Sequence, residues 1–141
     1  MKPRIIGVDL GTKTLGLAIS DRLGLAAHPL ATFRFPRGDY QSAKRYLGQL
    51  ADQEQVATIA IGYPLHMSGA SSERSESVLR FKSEFELEYP NIKLELVDER
   101  LTTLMANKMM IGAELKASHR REVIDSAAAV LILESYMQRS K

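Results

Sequence analysis

Residues Val56-Ala57-Thr58-Ile59-Ala60-Ile61 are apolar at all but one position. A strand with one wet face alternates apolar and polar side chains, whereas a run without alternation marks a strand covered on both faces. This segment therefore calls for a central strand, parallel to a neighbour, in a sheet flanked by helices. Few folds meet that demand in a chain of 141 residues. One domain of this length buries roughly two-thirds of its unfolded surface without staples, and the chain is read as a single domain over 1–141.

The N-terminal stretch Arg4-Ile5-Ile6-Gly7-Val8-Asp9-Leu10-Gly11-Thr12-Lys13-Thr14-Leu15-Gly16-Leu17-Ala18-Ile19-Ser20 reads as strand, tight turn, strand. Ile6, Val8 and Leu10 alternate to one face, and Ile5, Gly7 and Asp9 to the other. A lone acid in an apolar strand is costly to bury unless something compensates its charge. An Asp before a turn also braces it through backbone hydrogen bonds, so Asp9 alone does not define a site. A third strand is expected over 27–35, giving an antiparallel meander. Arg37-Gly38-Asp39 is read as a turn, with Asp39 capping a helix over 40–53 whose Ala43, Tyr46, Leu47, Leu50 and Ala51 share a face.

After the central strand, a Gly/Pro/Ser-rich loop over 62–72 opens a helix. Val78, Phe81 and Phe85 form its buried stripe, and Glu84, Glu86 and Glu88 its solvated face. Residues 93–97 form another strand and run directly into Asp98-Glu99-Arg100. Acids at a strand's C-terminal end stand where open α/β sheets bind ligands, although a solvated loop ion pair has the same appearance. Thr102 or Thr103 is placed to cap a helix carrying Leu104, Met105, Met109 and Ile111. Ser118 is read as the cap of a last helix, apolar all round from Ala127 to Leu133 and hence buried. Asp125 precedes three alanines that let this helix approach the sheet closely. An Arg121–Asp125 surface pair is worth only about half a kcal/mol.

Asp9, either Asp98 or Glu99, and Asp125 thus come from three separate elements. The chain has no cysteine, and no His is spaced as part of a ligand pair. Convergent carboxylates suit a hard cation, Mg2+ or Mn2+, whose charge offsets their mutual repulsion. Two such ions about 3.5–4 Å apart form the clamp used for in-line displacement at phosphorus.

Four segments carry a family resemblance: Gly7-Val8-Asp9-Leu10-Gly11-Thr12-Lys13, Gly62-Tyr63-Pro64-Leu65-His66-Met67-Ser68-Gly69, Val97-Asp98-Glu99-Arg100-Leu101-Thr102-Thr103 and Val123-Ile124-Asp125-Ser126-Ala127-Ala128-Ala129. In this order they resemble the YqgF/RuvX family of the ribonuclease H-like superfamily. That family is described both as Holliday junction resolvases and as nucleases that process the precursor of small-subunit ribosomal RNA. The resemblance implies an α/β, ribonuclease H-like fold with a five-stranded mixed sheet, three antiparallel strands then two parallel, flanked by helices. It implies a metal-dependent nuclease in which Asp9, Glu99 and Asp125 are the catalytic, metal-binding acids, with Mg2+ or Mn2+ as cofactor. Lys13, His66 and Arg100 are its implied substrate contacts. The family commonly has a basic residue where this chain has Thr14, which leaves Lys13 as the nearby cation. The implied partners are nucleic acids, precursor rRNA ahead of branched DNA, and ribosomal particles, for a monomer or weak homodimer.

Two other readings compete. Asp9-Leu10-Gly11-Thr12 also looks like the first phosphate-binding hairpin of the actin, sugar-kinase and chaperone ATPases, which need two such domains. A non-catalytic RNA- or ribosome-binding module would use the basic segments as phosphate contacts. Charge is unevenly placed: residues 1–50 carry 8 basic and 3 acidic groups, 51–98 carry 4 and 9, and 99–141 carry 7 and 5. Such blocks are compatible with a nucleic-acid partner. No apolar signal segment or bilayer-length run is present, so the expected location is cytoplasmic with no membrane partner.

Overall fold

A computed structural model describes residues 3–65, 68–99 and 117–139, with side chains of the last segment described from Ala127. The elements are β1 (Ile5–Leu10), β2 (Thr14–Ser20), β3 (Ala27–Arg34), α1 (Tyr40–Gln53), β4 (Thr58–Tyr63), α2 (Glu73–Glu88), β5 (Lys93–Asp98) and α3 (Ala117–Arg139). The strands form a single sheet in the order β3-β2-β1-β4-β5. β1 pairs antiparallel with β2 and parallel with β4, and β4 pairs parallel with β5. This is the expected mixed sheet, and the greater part of the apolar run, from Thr58 to Ile61, falls in β4, between two parallel partners. The C-terminal ends of β1, β4 and β5 consequently share one edge.

Strand alternation divides the core into two layers. Ile6, Val8, Leu15, Leu17, Ile59, Ile61 and Leu94 pack against Ala43 and Leu47 of α1 and Val78, Phe81 and Phe85 of α2. The other face is lined by small residues, because the register places Gly7 beside Ala18 on β2 and Ala60 on β4. Over this row lie Ala128, Ala129, Ile132 and Leu133 of α3, all fully buried. A Cβ added at Gly7 would stand 2.6 Å from Leu133 Cβ and 2.7 Å from the Ala129 carbonyl oxygen. The alanines of α3 and the glycine of β1 together bring helix and sheet into contact. β3 accommodates Pro29, which has no N–H to give, because it is an edge strand.

Helix α1 starts where the sequence places it, with the Asp39 carboxylate accepting from the Ser42 amide and hydroxyl at 3.3 and 2.6 Å. The Ser42 bonds hold the Asp39 carboxyl below its ordinary range. Other boundaries differ from the sequence reading. The strand expected over 56–61 runs from Thr58 to Tyr63. Val56 is buried at 4% exposure, yet its amide donates to Ala51 at the end of α1 (2.8 Å), so it packs into the core before the sheet ladder begins. Ser118, read as the cap of the last helix, lies within α3, which already includes Ala117. The helix expected after Thr102 lies outside the described residues.

The acidic row of α2 is not simply solvated. Lys44 of α1, 5% exposed, places Nζ 2.9 Å from Glu84 and 3.7 Å from Glu88, joining the two helices. Glu86 accepts from Lys82 Nζ at 2.8 Å and from the Leu94 amide at 3.0 Å. Burial pushes the Glu86 carboxyl up, but these two bonds together with the positive charges of Lys82 and Lys93 outweigh it and hold the group below its ordinary value. Among the described residues no helix is long and apolar enough to cross a membrane.

Candidate active site at the sheet edge

Asp9 is the penultimate residue of β1 and is 5% exposed. It lies on the same face as Gly7, toward α3, and its registered partner on β2 is Gly16. On the other side β4 pairs Ile61 with Val8, so Gly62 is the next residue along, level with Asp9. A carboxylate between two glycines has no neighbouring side chain on the sheet to cover it.

The second acid follows from β5. Val97 is registered to Gly62 and packs with Ile132 of α3. Alternation turns the half-buried Asp98 to the opposite face and brings the next residue back. Glu99 is 8% exposed, and its Oε1 would be 3.1 Å from a Cβ placed on Gly62. Strand spacing puts β1 and β5 roughly 10 Å apart. Glu99 narrows that gap because its side chain lies over the bare backbone of Gly62. Of Asp98 and Glu99, the latter therefore shares a face with Asp9.

Helix α3 brings the third acid's backbone to this edge. Ala129 and Leu133 meet Gly7, while Glu134, Met137 and Gln138 line a small pocket with Leu25 and Ala27. Ala27 pairs with Ser20, whose hydroxyl accepts from the Ile5 amide at 2.8 Å, so that pocket sits where β1 begins. The helix thus runs against β1, with its N-terminal half toward Asp9. Position 125 is one turn before Ala129, about 6 Å of rise, which nearly matches the two strand residues from Gly7 to Asp9. The Asp125 side chain lies outside the described residues, as do those of His66 and Arg100. Among the described residues no group of three or more His, Cys, Asp or Glu is placed to hold a metal. The two described carboxylates are nevertheless hard oxygen donors in a sheltered position, and a third on α3 would make a set suited to Mg2+ or Mn2+.

The sequence reading missed one cation. Arg74, in the first turn of α2, donates from Nη2 to the Leu10 carbonyl at 2.8 Å and stands 3.9 Å from Asp9 Oδ1. Its side chain is 48% exposed, so the ion pair is weak and the bond to Leu10 is what ties α2 to the end of β1. The available signal was topological, since a helix that follows β4 begins at the edge where β1 ends. Lys13 is exposed on the β1–β2 turn, where its carbonyl accepts from the Phe35 amide at 2.9 Å.

Gly62→Ala is expected to act on the site more than on the fold. The added methyl would meet Ile132 Cδ1 at 2.6 Å and Glu99 Oε1 at 3.1 Å. Ile132 Cδ1 is the far end of a flexible side chain and yields at a cost of about 1–2 kcal/mol, whereas Glu99 is displaced from its place over β4. Activity at this site should fall by roughly tenfold or more with only a modest drop in thermal midpoint. Equal activity in variant and parent would show that the placement of Glu99 does not matter.

A family model described as "RuvX: Holliday junction resolvase" matches residues 3–139. The chain belongs to the RuvX family. Similar RuvX proteins come from Geobacillus kaustophilus, 43% identical over 140 residues (98% of this chain, 99% of the relative), and Bacillus subtilis, 40% identical over 136 residues (95% and 96%). Both carry the name "Putative pre-16S rRNA nuclease". Among solved structures, the RuvX chain resembles Thermus thermophilus RuvC in complex with a Holliday junction substrate, with a TM-score of 0.60 at 12% identity over 99% of this chain and 96% of that one. The fowlpox virus resolvase with its junction DNA matches at a TM-score of 0.54 and 17% identity, over 97% and 98%. At these identities the two structures establish the shared ribonuclease H-like fold.

Proposed function

We propose that this RuvX protein is a divalent-metal-dependent nuclease that hydrolyses phosphodiester bonds in precursor small-subunit ribosomal RNA. The observation that carries the reading is the pair Asp9 and Glu99, two buried carboxylates, one within β1 and one just past the end of β5, on the same face of the sheet as the Gly62 over which Glu99 lies. Buried acids on one face repel each other unless a cation or proton intervenes, and a purely structural role gives no reason to collect them at an open sheet edge. The names of the RuvX relatives supply the RNA substrate.

Asp9, Glu99 and Asp125 would hold the cations. Bound Mg2+ or Mn2+ supplies charge neutralisation at the phosphate and an activated water. The chain's own contribution is placement. Gly16 and Gly62 carry no side chain that would compete for the space beside Asp9 and Glu99, and Arg74 fixes the end of β1 from which Asp9 projects. Lys13, His66 and Arg100 are the proposed contacts to the substrate. The family description and the junction-bound neighbours favour four-way DNA as a second substrate reading.

The test incubates purified protein with labelled precursor rRNA and, in parallel, with a four-way DNA junction, each with magnesium, manganese or EDTA. Asp125→Asn serves as the control. Cleavage of the RNA alone, lost in EDTA and in the variant, is the expected result. Paired symmetric nicks in the junction would transfer the assignment to a resolvase, and binding without cleavage of either would make the protein a non-catalytic module.

A further inference from the structure

We propose that the cleft on the far side of the β1–β2 turn binds a second backbone phosphate of the substrate, held by Arg37 and Arg74. This inference deepens the nuclease reading and rests on it. The cleft has a volume of about 140 Å3 and is lined by Leu10, Gly11, Thr12, Arg37, Arg74 and Ser77 among others. That space holds several waters, enough for a phosphate group.

Two guanidinium groups reach this cleft from distant parts of the chain. Arg74 spends one nitrogen on the Leu10 carbonyl, but a guanidinium carries five N–H donors and this one is half exposed. Arg37 is exposed and has no ion pair or side-chain hydrogen bond among the described residues. Its backbone is nonetheless fixed. The Phe35 amide donates to Lys13 at 2.9 Å and the Gly38 amide to Thr12 at 3.0 Å, fastening the Arg37 turn to the β1–β2 turn on both sides. Glu73 also lines the cleft, leaving two cations against one acid. A planar fork suits phosphate, and two of them on a rigid frame suit it better than a single mobile lysine.

Position completes the case. Asp9 faces the α3 layer, whereas Leu10 and the cleft belong to the layer of α1 and α2. The two are separated by the thickness of one strand end. A nucleic-acid strand crossing the sheet edge would place one phosphate by the carboxylates and another by the arginines. The arginines thereby supply the cationic contact that Thr14 cannot, since Thr14 is an uncharged residue buried within β2.

The test measures binding of single-stranded precursor rRNA in EDTA, which stops metal-dependent cleavage, across a series of salt concentrations. Loss of one phosphate contact makes the slope of log affinity against log salt shallower by about 0.7 on a single strand. Arg37→Gln should show that change together with several-fold weaker binding, and cleavage kinetics should show the loss mainly in KM. Arg74→Lys should keep more of the slope than Arg74→Gln, and this pair separates lost charge from a lost tie to Leu10. Lys93→Gln, which removes an exposed cation at the opposite end of the sheet, should leave the slope unchanged. Parental slopes in both arginine variants, with the parent binding and cutting RNA, would overturn the subsite alone. Failure of the parent to bind RNA would remove the subsite and the nuclease reading together.

Discussion

Asp9→Asn is expected to eliminate metal-dependent cleavage while leaving the protein folded. Losing a residue that supports a metal ligand typically costs 10–100-fold in affinity or activity, and loss of a ligand itself should exceed that, to at least about 10^3-fold. The structure explains why the fold survives. Asn has nearly the same volume, Gly16 and Gly62 on either side offer no side-chain packing to lose, and Arg74 keeps its bond to Leu10. Removing a largely buried charge also relieves a desolvation cost, so the thermal midpoint should hold or rise in the absence of metal. Single-turnover cleavage and thermal unfolding of the same preparation check both halves. Added Mn2+ should stabilise the parent by mass action and stabilise the variant less. Full cleavage by the variant in magnesium would take Asp9 out of the mechanism.

Gly7→Ala is expected to produce the largest loss of stability among single small substitutions. Its methyl would stand 2.7 Å from the Ala129 carbonyl oxygen and 3.3 Å from Leu133 Cα. These are backbone atoms of α3 and cannot rotate aside, unlike the Ile132 terminus that meets Gly62. The whole helix must lift, at a cost of about 3 kcal/mol, or roughly 10 °C in thermal midpoint for a chain of this size. Activity should fall with it, because the segment of α3 carrying Asp125 moves too. Gly38→Ala offers a contrast: that residue has φ +80° with nothing within 4 Å of the added methyl, so its cost is conformational, about 1–2 kcal/mol. A Gly7→Ala protein melting with the parent would mean that α3 is seated less closely than described.

Much of this was legible in the chain. Alternation along β1 puts Asp9 and Gly7 on one face from the sequence alone, because a period of two is enforced by the pleat. Asp39 and residues 40–53 were legible because cap and periodicity agree there. What failed to show was non-local. Arg74 meets β1 some 64 positions away in sequence, and local pattern carries no record of such a pairing. Lys44 was absent from the expected buried face of α1 because its charge is satisfied by Glu84 and Glu88 on another helix. The β4 boundary slipped by two residues because apolarity reports burial, while a strand is defined by its ladder, and at Val56 the two part company. For the candidate site, position along the chain gives Asp9 and leaves Asp98 and Glu99 as alternatives, between which only the family resemblance favours Glu99; that Glu99 shares a face with Asp9 shows once Val97 is seen against Ile132 and Glu99 beside Gly62.

The capping box of α2 has one more partner. Ser72 accepts from the Ser75 amide, Ser75 returns a bond to the Ser72 amide, and the Ser72 hydroxyl also donates to the Pro64 carbonyl at 2.8 Å. That last bond closes the chain between β4 and α2 like a drawstring, so the strand end and the helix start are held together whatever lies between them. Loop closure entropy grows slowly with length, by about 0.6 kcal/mol per doubling. Changes in length between Pro64 and Ser72 are therefore expected to leave Gly62, near the end of β4, and Arg74, at the start of α2, tied to one another through this bond.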